Sequence, residues 1–328
     1  MPRLELVEER NIRPGRVVGG QVFGGISALA DDGKGGLWAL SDAHGEHEPA
    51  RMFRLRDLDP VEVVLLQGAP EGARFDPEGL ARLPDGRLFL STEGEAREPR
   101  IKPALYQVLD GRLTPGPAVP EAFWPEPEHG PQVRGVRHNL GFEGLTATPD
   151  GGLWLANEQA LVQDGPTTSF AAGTLVRLVR YGPDGRCRAQ YRYRTDAMHP
   201  DPRPGEVESF DRGVSALAAL DARRLLVLER GSVAIGGVYD NQVGIFMVVL
   251  PEASGESCDE PGDELDKELV LDLASIVPLL DPTYGDLDNF EAMVVTDGGQ
   301  SLTLASDDNF RDDQRTALLR FRVDPARD

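Results

Sequence analysis

The stretch Phe142-Glu143-Gly144-Leu145, followed by Asp150-Gly151-Gly152-Leu153-Trp154-Leu155-Ala156-Asn157-Glu158, decides the fold. It holds two short apolar runs around an Asp-Gly turn, the pattern of a β-hairpin with an acid at each end. The unit recurs along the chain. Pro77-Glu78-Gly79-Leu80 leads to Asp85-Gly86-Arg87-Leu88-Phe89-Leu90-Ser91-Thr92-Glu93, and Ile26-Ser27-Ala28-Leu29 leads to Gly36-Leu37-Trp38-Ala39-Leu40-Ser41-Asp42. Val214-Ser215-Ala216-Leu217 leads to Arg224-Leu225-Leu226-Val227-Leu228-Glu229-Arg230. Phe290-Glu291-Ala292-Met293 leads to Ser301-Leu302-Thr303-Leu304-Ala305-Ser306-Asp307-Asp308.

Self-similarity of this kind is the signature of a repeat architecture. Two further apolar runs follow most copies: 51–55 and 61–66, 104–109 and a run near Val119 to Trp124, 174–179 and 189–194, 244–250 and 268–273. Four antiparallel strands per unit make a propeller blade. The chain is therefore expected to be all-β, a single β-propeller domain over residues 1–328, with five repeats visible and room for a sixth. The last copy has one clear strand after its hairpin, Ala317 to Val323. The N-terminal run Leu4 to Glu8 is expected to complete that blade and close the ring, leaving no open sheet edge. A β-sandwich, the alternative, does not explain so regular a repeat.

Composition agrees. The chain is 40% hydrophobic but only 6% aromatic, with Gly 37 and Pro 26, which suits short strands and tight turns better than long helices. No run of apolar residues is long enough to span a membrane as a helix. The net charge of −21 sets the chain against nucleic acid and anionic membranes. Cys187 and Cys258 match no metal or redox motif, and two free thiols are expected, although pairing across a loop is open. The start, Met1-Pro2-Arg3-Leu4-Glu5, lacks the apolar segment of a signal peptide. Either the protein is cytoplasmic or a leader has been removed.

The acids then acquire chemical meaning. The same spacing separates Glu78 from Glu93, Glu143 from Glu158 and Ser27 from Asp42. One member begins a hairpin and the other ends it, so antiparallel pairing returns both to the same end of the blade. Blades converge on a central channel, which gathers Glu78, Glu93, Glu143, Glu158, Glu291, Asp42, Asp307 and Asp308 at one mouth. Carboxylates so crowded require positive charge among them. Many hard oxygen donors favour calcium over magnesium, which demands tighter geometry. Arg230, Arg212, Arg137 and His138 lie at equivalent or adjacent positions and are candidates for part of that role. Glu143, Glu158, His44, Arg137 and Arg230 are the candidate catalytic residues. Ser41-Asp42-Ala43-His44 is close in sequence but is not thereby a triad. Gly19-Gly20 and Gly24-Gly25 lack the strand-helix setting of a dinucleotide loop. The acidic segment Cys258 to Asp266 does not fit an EF-hand and is expected to be a solvated excursion.

Phe142 to Gly151 with Leu153 to Glu158 resembles the phytase-like family described as having esterase-like activity. So do Asn289 to Met293 with Leu304 to Phe310, and Gln314 to Phe321. The resemblance implies a propeller related in shape to calcium-dependent phytases, often periplasmic or extracellular, acting on a small phosphoester or ester. It matches Glu78, Glu143 and Glu291 at strand starts and Glu93, Glu158 and Asp307 to Asn309 at strand ends. The chain departs from it at Ser27 and Ser215, where acids would complete the ring, which implies fewer bound metals than in a true phytase. The expected activity is metal-dependent hydrolysis, with Arg137, Arg212 and Arg230 as phosphate clamps. The alternative is a non-catalytic propeller that binds a ligand or protein and keeps calcium structurally.

Overall fold

The computed structural model describes residues 1–42, 49–69, 75–199, 207–251, 257–283 and 286–324. Five four-stranded antiparallel sheets follow one another along the chain. The first blade is β4 (Ile26–Asp31), β5 (Leu37–Ser41), β6 (Arg51–Arg56) and β7 (Asp59–Leu65), preceded by a short ladder of β2 (Val17–Val18) and β3 (Gln21–Val22). The second is β8 (Pro77–Arg82), β9 (Leu88–Thr92), β10 (Ala104–Leu109) and β11 (Arg112–Pro115). The third is β12 (Phe142–Ala147), β13 (Leu153–Asn157), β14 (Leu175–Tyr181) and β15 (Cys187–Arg194). The fourth is β16 (Val207–Ala219), β17 (Arg224–Ile235), β18 (Val238–Val249) and β19 (Lys267–Asp272). In the fifth, β20 (Asn289–Thr296), β21 (Ser301–Asp307) and β22 (Thr316–Asp324) are completed by β1 (Arg3–Ile12).

The N-terminal strand pairs antiparallel with β22 from Arg3↔Asp324 to Ile12↔Thr316, so the chain's two ends share the last blade. Innermost strands touch in cyclic order, β4 to β8 to β12 to β16 to β20 and back to β4. The ring thus closes with five blades, and the room left for a sixth is taken by loops. Apolar side chains from facing blades fill each junction. Leu80, Leu90 and Met52 pack between blades one and two, and Phe142, Phe123 and Leu155 between two and three. Trp154, Tyr193 and Leu217 lie between three and four, Leu228, Phe290 and Phe321 between four and five, and Phe53 and Leu318 at the closure.

Two glycines explain how the inner strands come so close. A Cβ on Gly79 would stand 2.6 Å from Leu145 of the next blade, and one on Gly144 would stand 2.7 Å from Leu217. The hairpin turns also form as the Asp-Gly pairs predict, with Gly86, Gly151 and Gly298 all at positive φ.

Two expectations are corrected. The outer strand of blade two is β11, not the run at 119–124. Glu121–Phe123 is a 3-10 turn whose Phe123 is buried in the junction with blade three. Cys187 and Cys258 are not free thiols but a disulfide, with Cα atoms 6.0 Å apart. The segment carrying Cys258 is largely exposed, as expected, but it runs beside β15. The N–H of Gln190 donates to Ser257 O at 3.2 Å, that of Gly262 to Gln190 O at 2.7 Å, and that of Leu265 to Arg192 O at 2.8 Å. This backbone ladder brings Cys258 to the start of β15. The bridge spans 71 residues of sequence, and closing a loop of that length typically stabilises by about 2–4 kcal/mol. Replacing both cysteines by serine should lower unfolding stability by that amount in urea titration under oxidising conditions, while dithiothreitol should then have no further effect.

Candidate functional site

Each blade carries the same defect in its innermost strand. Pairing slips by one residue between Ile26 and Ala28, Pro77 and Gly79, Phe142 and Gly144, Val214 and Ala216, and Phe290 and Ala292. The extra residue is Ser27, Glu78, Glu143, Ser215 or Glu291. A β-bulge re-aims its side chain out of the regular alternation. The inner-strand acids thus owe their direction to a backbone irregularity repeated around the ring.

The partner acids come from the end of the second strand. Backbone N–H groups of Asp42, Glu93 and Glu158 donate to the carbonyls of Gly25, Asp76 and Gly141 at 2.8, 2.9 and 2.7 Å. By register, Asp307 opposite Asn289 and Arg230 opposite Gly213 occupy the same place in the fifth and fourth blades. Four blades supply a carboxylate here and one supplies a guanidinium.

These groups meet. One carboxylate oxygen from each of Glu93, Glu143 and Glu158 lies within 4.8 Å of the others. Loss of water contact, reinforced by neighbouring carboxylates, pushes Asp42, Glu78, Glu143 and Asp307 well above the usual carboxyl range. Glu158 moves the same way, chiefly through burial, although Arg230 opposes the shift. Arg230 reaches Glu291 at 2.9 Å, Asp211 at 3.3 Å and Glu158 at 3.6 Å. It offsets part of the charge, and the rest of the cluster is an oxygen-rich cradle. A calcium ion bound at about 2.3–2.6 Å needs its ligand oxygens no more than about 5 Å apart, and the Glu93-Glu143-Glu158 set meets that condition.

Other sequence-predicted residues go elsewhere. Asp308 turns to the backbone: its Oδ1 accepts from the N–H of Gly25 at 2.9 Å and of Phe310 at 3.1 Å. Arg137 donates to the carbonyls of Ala160 at 2.9 Å and Gly165 at 2.8 Å. Arg212 is buried against Glu229 at 2.9 Å, and Glu229 also takes Tyr193 Oη at 2.6 Å and Lys267 Nζ at 2.5 Å. That buried network holds blades three and four together, and breaking such a pair costs about 3–5 kcal/mol. His138 Nδ1 lies 2.7 Å from Glu95. His44 lies outside the described residues. Ser27 and Ser215, the two departures from the acidic pattern, donate to Pro77 O at 3.3 Å and Phe290 O at 3.5 Å. Each serine therefore steadies the residue just before the next blade's bulged glutamate.

Two acids escape the hairpin pattern. Asp76 is buried and adds its charge to Asp42 and Glu78, and Asp211 faces Arg230. Asp76 sits two residues before Glu78, where the other blades carry Gly25, Gly141, Gly213 and Asn289. That alignment column was the available signal.

Comparison with known proteins adds the following. No curated protein matches the chain. Among solved structures, a gluconolactonase of Xanthomonas campestris is 14% identical, covering 98% of this chain and 94% of that one with a TM-score of 0.42. An endo-arabinase of Bacteroides thetaiotaomicron is 12% identical, covering 93% and 95%, with a TM-score of 0.47. A virginiamycin B lyase of Staphylococcus aureus is 10% identical, covering 95% and 98%, with a TM-score of 0.36. Likenesses this distant carry no weight for chemistry. The family described as "Phytase-like: Esterase-like activity of phytase" matches residues 21–310, a span that contains all five hairpins, and the chain belongs to that family.

Proposed function

We propose that this protein is a calcium-dependent hydrolase of a small ester or phosphoester, working at the acidic end of the ring. The observation that carries the reading is the meeting of Glu93, Glu143 and Glu158 within 4.8 Å, raised on one bulge and two strand ends of two neighbouring hairpins. Oxygen-only donors of this kind suit calcium, and magnesium less well because it keeps a stricter octahedron. When bound, calcium supplies positive charge that polarises an ester or phosphoryl oxygen and eases deprotonation of a coordinated water. Glu143 is partly buried and flanked by Glu158 and Glu93, a setting that raises its carboxyl's affinity for a proton and suits it to take one from a reacting group. Arg230, fixed by three carboxylates, is positioned to orient them and to stabilise negative charge that develops beside Glu158 and Glu291. The Cys187–Cys258 bridge favours an oxidising compartment, in keeping with export.

The second reading, a binding propeller with structural calcium, draws support from Arg230, which already neutralises part of the cluster without any ion. Turnover separates the two. Purified protein should hydrolyse p-nitrophenyl acetate or p-nitrophenyl phosphate in calcium buffer and lose that activity in EGTA. A melting shift with calcium but no turnover of either ester would overturn the hydrolase and leave the binding propeller.

A further inference from the structure

The fourth blade departs from its neighbours in one respect. Its first three strands, β16, β17 and β18, are 13, 12 and 12 residues long, against 6 and 5 for β12 and β13. The excess forms an arm that rises beside the acidic cluster, from Arg230 outward to the turn at Gly236-Gly237. Between this arm and the loop at 309–314 lies a cavity of about 300 Å³. That is the small end of the range for ligand sites, about 300–1,000 Å³. The cavity adjoins the cluster directly, for Arg230 and Asn289 line it and both contact Glu291, at 2.9 and 2.8 Å.

Its lining is uncharged where it is not already neutralised. Ser209, Ser232, Asn241, Asn289, Asn309 and Gln314 supply hydroxyls and amides. One amide N–H of each of three of them is engaged within the protein. Asn241 donates to Leu287 O at 3.0 Å, Asn289 to Glu291 at 2.8 Å and Asn309 to Gln314 at 3.2 Å. Those bonds leave the amide carbonyl oxygens of Asn241, Asn289 and Asn309 to accept, and a second N–H on each of these amides, with the amide nitrogen of Gln314, to donate. Both cations at the cavity are paired as well. Arg230 is shared among Asp211, Glu158 and Glu291, and Arg311 is held by Asp313 through two contacts of 2.9 and 2.8 Å. Phe210 and Tyr239, 40% and 52% exposed, add two apolar faces.

A phosphate group brings only acceptors and negative charge, and the two cations lining the cavity are already paired with Asp211, Glu158, Glu291 and Asp313. A hydroxyl both donates and accepts, and the C–H face of a saturated ring packs on an aromatic plane. We propose that this cavity binds an uncharged polyhydroxylated ring, the part of the substrate adjoining the scissile ester. The assignment of that ring as substrate rests on the hydrolase reading, whereas the binding itself does not.

The test is calorimetric titration of calcium-loaded protein with D-glucose, myo-inositol and glucose 6-phosphate. The neutral rings should bind, and glucose 6-phosphate should bind at least about tenfold more weakly. Ser232→Trp, which fills the cavity, and Tyr239→Ala, at the exposed arm, should each weaken neutral-ring binding by about tenfold or more. Should Ser232→Trp fail to fold, Tyr239→Ala decides alone. No binding of either neutral ring, preference for the phosphate, or binding unchanged in the variants overturns the proposal. Ring binding without turnover of any ester overturns the hydrolase reading and supports the cavity. Ester turnover without ring binding does the reverse.

Discussion

In metal-free buffer the protein should melt at a lower temperature at pH 8 than at pH 5, and calcium should remove most of that difference. The sign follows from the cluster. Asp42, Glu78, Glu143, Glu158 and Asp307 titrate higher in the folded protein than the ordinary carboxyl range of about 4 that the unfolded chain shows. The folded state therefore holds more protons between about pH 4 and the raised values. Stability is complete below that window and is lost as pH rises through it. Asp288, pushed up to about 6 by burial, acts in the same sense. Asp85 and Asp184, held low by backbone N–H groups, act in the opposite sense, but their window has closed by about pH 5. Comparing pH 5 with pH 8 thus isolates the raised set. One pKa unit on one group is worth about 1.4 kcal/mol, so the set should move Tm by about 5 °C or more.

Calcium competes with those protons. Its stabilisation grows with the fraction of cluster that is ionised, and at a hundred times Kd amounts to about 2.7 kcal/mol. The melting shift on adding calcium should therefore be larger at pH 8 than at pH 5. Differential scanning calorimetry with and without EGTA measures both. A metal-free protein that is more stable at pH 8, or a calcium shift equal at the two pH values, contradicts this description of the cluster.

The second large effect concerns Glu143. Glutamine keeps the volume and removes one of three charges that lie within 4.8 Å. Two consequences run in opposite directions. Metal-free Tm at pH 8 should rise, because a neutral amide there no longer repels Glu93 and Glu158. Calcium affinity should fall by about a hundredfold or more, since the variant loses a direct ligand and the loss of a mere supporting contact already costs 10–100-fold. Ester turnover should fall by about 10²–10⁴-fold, through loss of both the cation and the proton acceptor. The combination distinguishes a site residue from a structural one, whose removal would lower stability with and without calcium. A variant that kept the full calcium shift and wild-type turnover would remove Glu143 from the site.

Much of this was legible in the sequence because the repeat and the hairpin pairing are local. Glu143 and Glu158 flank one apolar-turn-apolar unit, so their return to one end of the blade needs nothing beyond antiparallel pairing. The closure by Leu4 to Glu8 followed from counting the strands after the last hairpin. Features that depend on neighbouring blades were not legible. The bulges at Glu78, Glu143 and Glu291 arise where inner strands crowd a common axis, and no composition marks them. Arg137 and Arg212 lie near the right positions in sequence, yet the carbonyls of Ala160 and Gly165 and the buried Glu229 claim them from other segments. The disulfide escaped for the same reason, since the loop bearing Cys258 reaches β15 only across blades.

The central claim is that carboxylates of separate blades share one cation at the acidic end of the ring. Anomalous diffraction from crystals grown with calcium tests it most directly. A peak about 2.3–2.6 Å from oxygens of Glu93, Glu143 and Glu158 is the predicted result. A map with no ion there, or with calcium bound only at surface loops, would contradict it.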